Sequence, residues 1–266
     1  MLYEVLKAYR QYLCGKYSKE TARVYTIRLC TLFQGQSLID TIGNFDIDKV
    51  LSNLATIQHK NYFSQTKNAF LKFCEFEKIK LSLDVLDRIE EIEKGMHKKY
   101  RKQITIDYQE VKEKINHLKN AKLKLCYQTL VATGLRVSEL ASITAGDCLI
   151  TDEDITFTFI GKGGNSKKVE KVSLKFDEYP ALFQRIKEQV QKFSKDSKDS
   201  KGKKVFYSAI YLETHATKLG FTCHDLRRAC AKLEYQKTHS KVAVMKKLRH
   251  TDMKNTNIYL RSRVLV

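Results

Sequence analysis

At 266 residues with 42% hydrophobic composition, the chain is long enough for one large or two modest packed domains, and global disorder is excluded. Forty-nine basic residues against 30 acidic ones give a net charge of +19, which points to a polyanionic partner, with nucleic acid the natural one. A lysine-biased composition would raise the same count, so charge alone does not settle the partner. No apolar run approaches the ~18 residues of a membrane span, and the chain reads as cytoplasmic and nucleoid-associated. The seven cysteines include no CxxC pair, so neither a disulfide framework nor a zinc ribbon is indicated. They read as thiols of a reducing compartment, and neither metal nor cofactor is expected.

The first part reads as helices, in keeping with the single proline, Pro180. Leu2, Val5, Leu6, Tyr9, Tyr12 and Leu13 fall near helical spacing. Ser18 is placed to cap a second helix carrying Ala22, Tyr25, Ile27, Leu29 and Leu32, with Gly35 ending it. A third helix is predicted over Asp48 to Ile57 and a fourth over Ser64 to Lys78. The stretch EKGMHKKYRKQ is polar and basic, which sets residues 1–92 apart as an all-α domain, 93–103 as a linker and 104–266 as a second domain. The linker fits either a DNA-contacting strap or a plain solvated connection.

In the second domain, Thr105 is expected to cap a helix through Leu118. Further helices are predicted from Lys122 to Thr133 and from Val137. ITFTFI and KKVEKVSL alternate on either side of GKGGNS, which predicts a β-hairpin. The lysine- and serine-rich segment 192–204 reads as a surface loop, and helices resume near Asp225. The fold class is therefore mainly α with a small antiparallel β-sheet, and no internal repeat is present.

Four segments carry the chemistry: TGLRVSEL (133–140), GKGGN (161–165), HDLRR (224–228) and LRHTDMKNTNIYL (248–260). Singly each is weak. A GLR turn is an ordinary helix start with Ser138 and Glu139 as cap partners, and GKGG lacks the Walker pattern. A lone histidine or tyrosine is most often structural. Together they suit attack on a phosphodiester. The transition state gains negative charge on its non-bridging oxygens, which guanidiniums clamp well, and Arg136 and Arg227 are the candidates. His224 and Arg227, three apart, share a helix face, and His250 adds a donor. A phenol, with an ordinary pKa of ~10, needs nearby cations and a base to act as nucleophile. Tyr259, nine positions after His250, fits a helix, a short turn and a second helix start folding back on one site. Lys162 at the hairpin tip is the candidate general acid for the leaving oxygen, with Lys167 and Lys168 as alternatives.

These boxes resemble the tyrosine recombinase (phage integrase) family, in particular its small two-domain Xer-like or mobile-element type. TGLRVSEL resembles the family's first-arginine box, HDLRR its His-x-x-Arg box, LRHTDMKNTNIY its Leu-Gly-His…Tyr box, and GKGGN its lysine hairpin. The resemblance spans roughly residues 103–262. It extends loosely to SKETARVYTIRLCTLF and KNYFSQTKNAFLKFCEF, which look like the family's N-terminal core-binding domain. It implies the catalytic set Arg136, Lys162, His224, Arg227, His250 and Tyr259, the last as nucleophile. The implied reaction is site-specific strand exchange through a 3′-phosphotyrosyl intermediate without ATP. Double-stranded DNA is the implied partner, held in a C-shaped clamp, with a dimer per site and a tetramer on two duplexes.

Two residues depart from the pattern: Arg249 stands where glycine is usual, and Arg228 where many members have a second histidine. Arg249 either alters the local turn or contacts phosphate. The seven residues after Tyr259 are short for the family's subunit-exchanging tail, which puts the tetramer in question. Gln65, Lys67 and Asn68 are the candidates for base contacts. The competing readings are a type IB topoisomerase, which shares the chemistry, and a catalytically inactive DNA-binding regulator. RNA binding finds no RNP aromatics or KH loop to support it.

Overall fold

The computed structural model describes residues 2–33, 46–96, 105–161, 168–194 and 202–266. The chain divides into two compact units, Met1–Lys102 and Gln103–Val266.

The first unit contains α1 (Leu2–Lys16), α2 (Lys19–Leu32), α3 (Ile47–Ala55), α4 (Lys60–Phe76) and α5 (Leu83–Lys94). Ser18 caps α2 as expected, its Oγ accepting from the Thr21 N–H at 3.1 Å. Tyr9, Leu13, Leu29, Leu54, Phe63 and Phe70 build the core. Tyr9 reaches through it to donate to the Ala69 carbonyl at 2.7 Å, so its buried hydroxyl is satisfied. Sequence reading missed α5, which Ser82 caps and which buries Val85 and Ile89. This helix runs through Lys94, two residues past the point assigned to the linker. The fourth helix starts at Lys60 rather than Ser64, which puts Gln65 and Lys67 in its interior. There Gln65 accepts from Arg28 at 3.1 Å and Lys67 pairs with Glu93 at 2.5 Å.

The second unit opens with β1 (Ile106–Asp107), α6 (Tyr108–Asn116), α7 (Ala121–Thr133) and α8 (Val137–Ser142). Asp107, not Thr105, caps α6, its carboxylate accepting from the Gln109 N–H at 2.7 Å. A 3₁₀ turn (Ala145–Asp147) leads into β2 (Cys148–Ile150), β3 (Asp154–Ile160) and β4 (Val169–Lys175). These form an antiparallel sheet in the order β2-β3-β4, with Phe159 opposite Glu170 and Ile160 opposite Val169. After them come α9 (Pro180–Ser194), α10 (Ala209–Lys218), α11 (Cys223–Thr238), α12 (Lys241–Leu248), α13 (Met253–Leu260) and β5 (Val264–Leu265). The predicted surface loop 192–204 thus begins inside α9. β5 pairs in parallel with β1, Val264 beside Ile106.

The centre of this unit is α7, which is buried on nearly every side. Tyr127 on it donates to the Leu212 carbonyl at 2.9 Å. A smaller cluster of Cys230, Ala231, Val244 and Leu248, with Tyr259 and Leu260 against it, ties α11, α12 and α13 together. Gly134 closes α7 in the left-handed region at φ 61°. A Cβ there would meet Leu248 Cδ2 at 2.8 Å and Cys230 Sγ at 3.0 Å. The end of α7 can therefore approach α11 and α12 closely only because residue 134 has no side chain. Among the described residues no helix is long and apolar enough to cross a membrane.

Candidate active site

That close approach brings three chain segments to one place: the turn between α7 and α8, the first turn of α11, and the α12–α13 corner. Arg136 is the N-cap of α8. Its backbone N–H donates to Glu139 Oε2 at 2.8 Å and its guanidinium to Oε1 at 2.6 Å, which fixes the start of the side chain while leaving it half-exposed. Thr222 and Asp225 form a capping box at the head of α11, so His224 and Arg227 project from its first two turns.

His250 follows α12 directly and shares a 3.0 Å hydrogen bond between its Nδ1 and the buried Thr256 hydroxyl. Tyr259 lies at the C-terminal end of α13, not at the start of a second helix as its spacing had suggested. Its hydroxyl is 2.8 Å from His224 Nε2. The His250 ring stands 4.9 Å from its ring and the Arg227 guanidinium 5.9 Å.

Arg227 is placed differently from an exposed clamp. It is 1% exposed, and its two terminal nitrogens donate to the main-chain carbonyls of Gly134 and Leu248. It cross-links the first-arginine turn to the α12–α13 corner and holds a positive charge beneath Tyr259. Its Nε has no hydrogen-bond partner among the described residues.

The electrostatics keep both histidines neutral. His224 retains a solvent-exposed edge, yet the protein around its ring, reinforced by the charges of Arg228 and Arg227, pushes its pKa down to about 4. Arg228, the departure from the family pattern, thus helps to hold its neighbour unprotonated. Burial, with Arg227, Arg136 and Arg249 adding to it, likewise pushes His250 down to about 4.

The residue that organises the cations is Glu139, whose side chain is 2% exposed. It binds Arg136, meets Arg249 Nη2 at 3.1 Å and lies 4.0 Å from Arg227. Burial alone would raise its pKa. The Arg136 hydrogen bonds and the charges of Arg136 and Arg249 outweigh that and hold the carboxyl below its ordinary range. Sequence reading treated Glu139 only as a cap partner. Its spacing three residues after Arg136 was the available signal. Glu170, which faces Arg249 from β4 at 3.2 Å, was also missed. The signal there is alternation: Glu170 shares its strand face with Val172 and the buried Leu174, an unusual position for a carboxylate.

The structure thus brings Arg136, His224, Arg227, His250 and Tyr259 together. Lys162 and the alternative Lys167 lie outside the described residues, and Lys168 is exposed at the turn end of the hairpin, its carbonyl accepting from the Gly161 N–H at 2.9 Å.

The fold has relatives among solved structures. A lambda integrase dimer bound to a COC′ core site is 16% identical over 98% of this chain and 77% of that one, with a TM-score of 0.67. The Tn1549 transposon integrase in complex with circular intermediate DNA is 17% identical over 96% and 94%, at 0.63. The XerH site-specific recombinase bound to difH substrate, in a pre-cleavage complex, is 20% identical over 92% and 78%, at 0.62. At these identities the likeness is one of fold. No curated protein matches the chain by sequence. The phage integrase family model matches residues 105–264, which is more than half the chain and includes every residue of the site described above. The chain therefore belongs to the phage integrase family, the tyrosine recombinases.

Proposed function

We propose that the chain is a site-specific DNA recombinase in which Tyr259 is the nucleophile and Arg136, His224, Arg227, His250 and Lys162 serve the reaction. The observation that carries this is the 2.8 Å contact between the Tyr259 hydroxyl and His224 Nε2, made above the buried guanidinium of Arg227. A neutral imidazole within hydrogen-bond reach of a phenol is a general base for it.

In the proposed reaction the Tyr259 oxygen attacks the scissile phosphorus as its proton passes to His224. Arg136, which is half-exposed, donates to the non-bridging oxygens. Thr256 holds the His250 ring, leaving its Nε2 edge as a second donor. Arg227 supplies a fixed positive field from below the tyrosine, where low solvent access makes a charge count for more. The P–O5′ bond breaks, the 3′ phosphate is held on tyrosine, and the departing 5′ oxygen takes a proton from Lys162. Attack by a 5′-hydroxyl from a partner strand reverses these steps and frees the enzyme. The phosphotyrosyl bond conserves the energy of the phosphodiester, so no nucleotide is consumed. Strand exchange needs a dimer on each site and a tetramer on two duplexes. The net charge of +19 supports DNA as the partner.

The test is covalent trapping. Wild type and Tyr259→Phe are incubated in EDTA with nicked, labelled DNA from the flanks of the gene, and SDS-resistant adducts are resolved. An adduct with wild type alone is the expected result. Absence of an adduct on DNA demonstrably bound would refute the reading in favour of a catalytically inactive regulator. An adduct accompanied by relaxation of any supercoiled plasmid, whatever its sequence, would favour topoisomerase activity.

A further inference from the structure

Arg249 sits at the C-cap of α12 with φ 56° and ψ 42°, a left-handed conformation that suits glycine and costs a long side chain about 1 kcal/mol. The position where the family usually has glycine is therefore filled by a strained arginine, and the contacts of its guanidinium show what offsets the strain. Nη2 donates to Glu139 Oε2 at 3.1 Å and to the Gly134 carbonyl at 3.4 Å. Nε faces Glu170 Oε2 at 3.2 Å as an ion pair without hydrogen-bond geometry. The guanidinium carbon lies 5.2 Å from the Phe159 ring. Glu170 and Phe159 are opposite one another on β4 and β3, so one cation touches both strands of the hairpin and the turn that carries Arg136.

The hairpin is shaped to accept it. A Cβ on Gly161 would lie 2.4 Å from the Glu170 carboxyl carbon, so a side chain at 161 would displace the carboxylate from the place it holds beside Arg249. Arg249 is 13% exposed, which strengthens its pairing with both carboxylates.

We propose that Arg249 is a positioning residue that clamps the turn end of the β3–β4 hairpin to the Arg136–Glu139 turn and so sets where the hairpin's proton donor meets the leaving oxygen. The proposal rests on the recombinase reading and deepens it. Arg249 reaches the reaction through the hairpin, so its loss weakens leaving-group protonation and leaves attack by Tyr259 in place.

The experiment measures single-turnover cleavage by the full chain on two nicked substrates. One carries an ordinary scissile phosphodiester and the other a 5′-bridging phosphorothioate, whose leaving thiolate needs no proton. Arg249→Gly, Arg249→Lys, Glu170→Gln, the Arg249→Gly/Glu170→Gln double variant and Lys162→Ala are compared with wild type. General-acid assistance is worth ~10²–10⁴-fold. Arg249→Gly is therefore expected to cleave the phosphodiester ~10–100-fold more slowly and the phosphorothioate within ~3-fold of wild type. Arg249→Lys, a single point of charge, falls between them. Glu170→Gln matches Arg249→Gly, and the double variant is no worse than either, as for two ends of one clamp. Glycine is favoured at this φ, so Arg249→Gly should fold, and a urea midpoint checks that it does.

Equal slowing on both substrates, or wild-type rates on both, would overturn the proposal. Rescue of Lys162→Ala without rescue of Arg249→Gly would also overturn it while leaving the general acid in place. Rescue of Arg249→Gly without that of Lys162→Ala upholds the clamp and moves the donor to Lys167 or Lys168. A wild type that forms no adduct on either substrate defeats the recombinase reading itself, and the clamp with it.

Discussion

Replacing Glu139 by glutamine keeps the volume and removes one charge from the centre of the site. The carboxylate accepts from the Arg136 N–H at 2.8 Å, the Arg136 guanidinium at 2.6 Å and Arg249 at 3.1 Å, and lies 4.0 Å from Arg227. A glutamine oxygen can keep one of these bonds, while its NH₂ turns a donor towards guanidiniums that are themselves donors. Breaking a buried pair from one side costs about 3–5 kcal/mol, because the remaining charges lose their compensation. In a domain of this size each kcal/mol moves the melting temperature by ~2–4 °C, so a fall of roughly 10 °C is expected. Urea titration of both proteins across pH separates the charge effect from packing. Glu139 has a lowered pKa in the folded state, so its contribution is present above the ordinary carboxyl range and is lost as pH falls through its folded value. The gap between wild type and Glu139→Gln should therefore close in acid. A gap below ~0.5 kcal/mol at pH 7, or one that persists unchanged in acid, would refute the central role given to Glu139.

His250, 8% exposed, has a pKa near 4 in the folded protein against an ordinary 6.5. Its stabilisation is complete above pH 6.5 and is lost as pH falls towards 4, which amounts to about 2 kcal/mol between pH 7 and 5. His250→Asn should show a shallower fall over that window in urea midpoints, and parallel slopes would contradict the assigned shift. Gly134→Ala must adopt φ 61° and push against Leu248 and Cys230, so a loss of about 3 kcal/mol is expected in the same assay. Arg136→Ala and Arg227→Ala should each nearly abolish cleavage with DNA binding largely kept. Arg227→Ala should also cost about 3 kcal/mol of stability, since it strips partners from two buried carbonyls, and Arg136→Ala a comparable amount, since it leaves the buried Glu139 carboxylate short of a partner.

The sequence made the catalytic unit legible where chemistry dictates residue type. Three of the four boxes named residues that fold to one place, because phosphoryl transfer needs cations, a base and a nucleophile together, and few chain patterns supply all three; Lys162, from the fourth, lies outside the described residues. The mainly helical class followed from apolar spacing and a single proline. Harder to see were elements whose burial depends on distant partners. α5 was read partly as linker because its polar face dominates the composition, and only Val85 and Ile89 are fully buried. The placement of Arg227 was also hidden. Nothing local announces that its fork will meet the carbonyls of Gly134 and Leu248, which lie 93 and 21 residues away. Glu139 and Glu170 escaped for the same reason, since a carboxylate becomes a site residue only when the fold supplies the arginines around it.

The charge balance of the site explains why neutral histidines suit the proposed reaction. Arg249 is paired with Glu170, and Arg136 and Arg227 against Glu139 leave an excess of one positive charge, enough for the single charge of a phosphodiester. At the transition state the phosphorane gains a second negative charge, and the proton leaving Tyr259 makes His224 cationic at the same moment. The added attraction is thus realised in the transition state and absent from the ground state, which is where it accelerates the reaction. A histidine protonated beforehand would only bind DNA more tightly and would have no room for the proton. His224 lies near Arg136, Arg227, Arg228 and Asp225 and has a pKa of about 4, so the acid limb of cleavage under kcat/KM conditions should fall between pH 5 and 4. Measured on nicked DNA with Arg228→Ala alongside, the limb should move to higher pH when that neighbouring charge is removed. A wild-type limb centred near 6.5, or one indifferent to Arg228, would mean that His224 does not receive the proton.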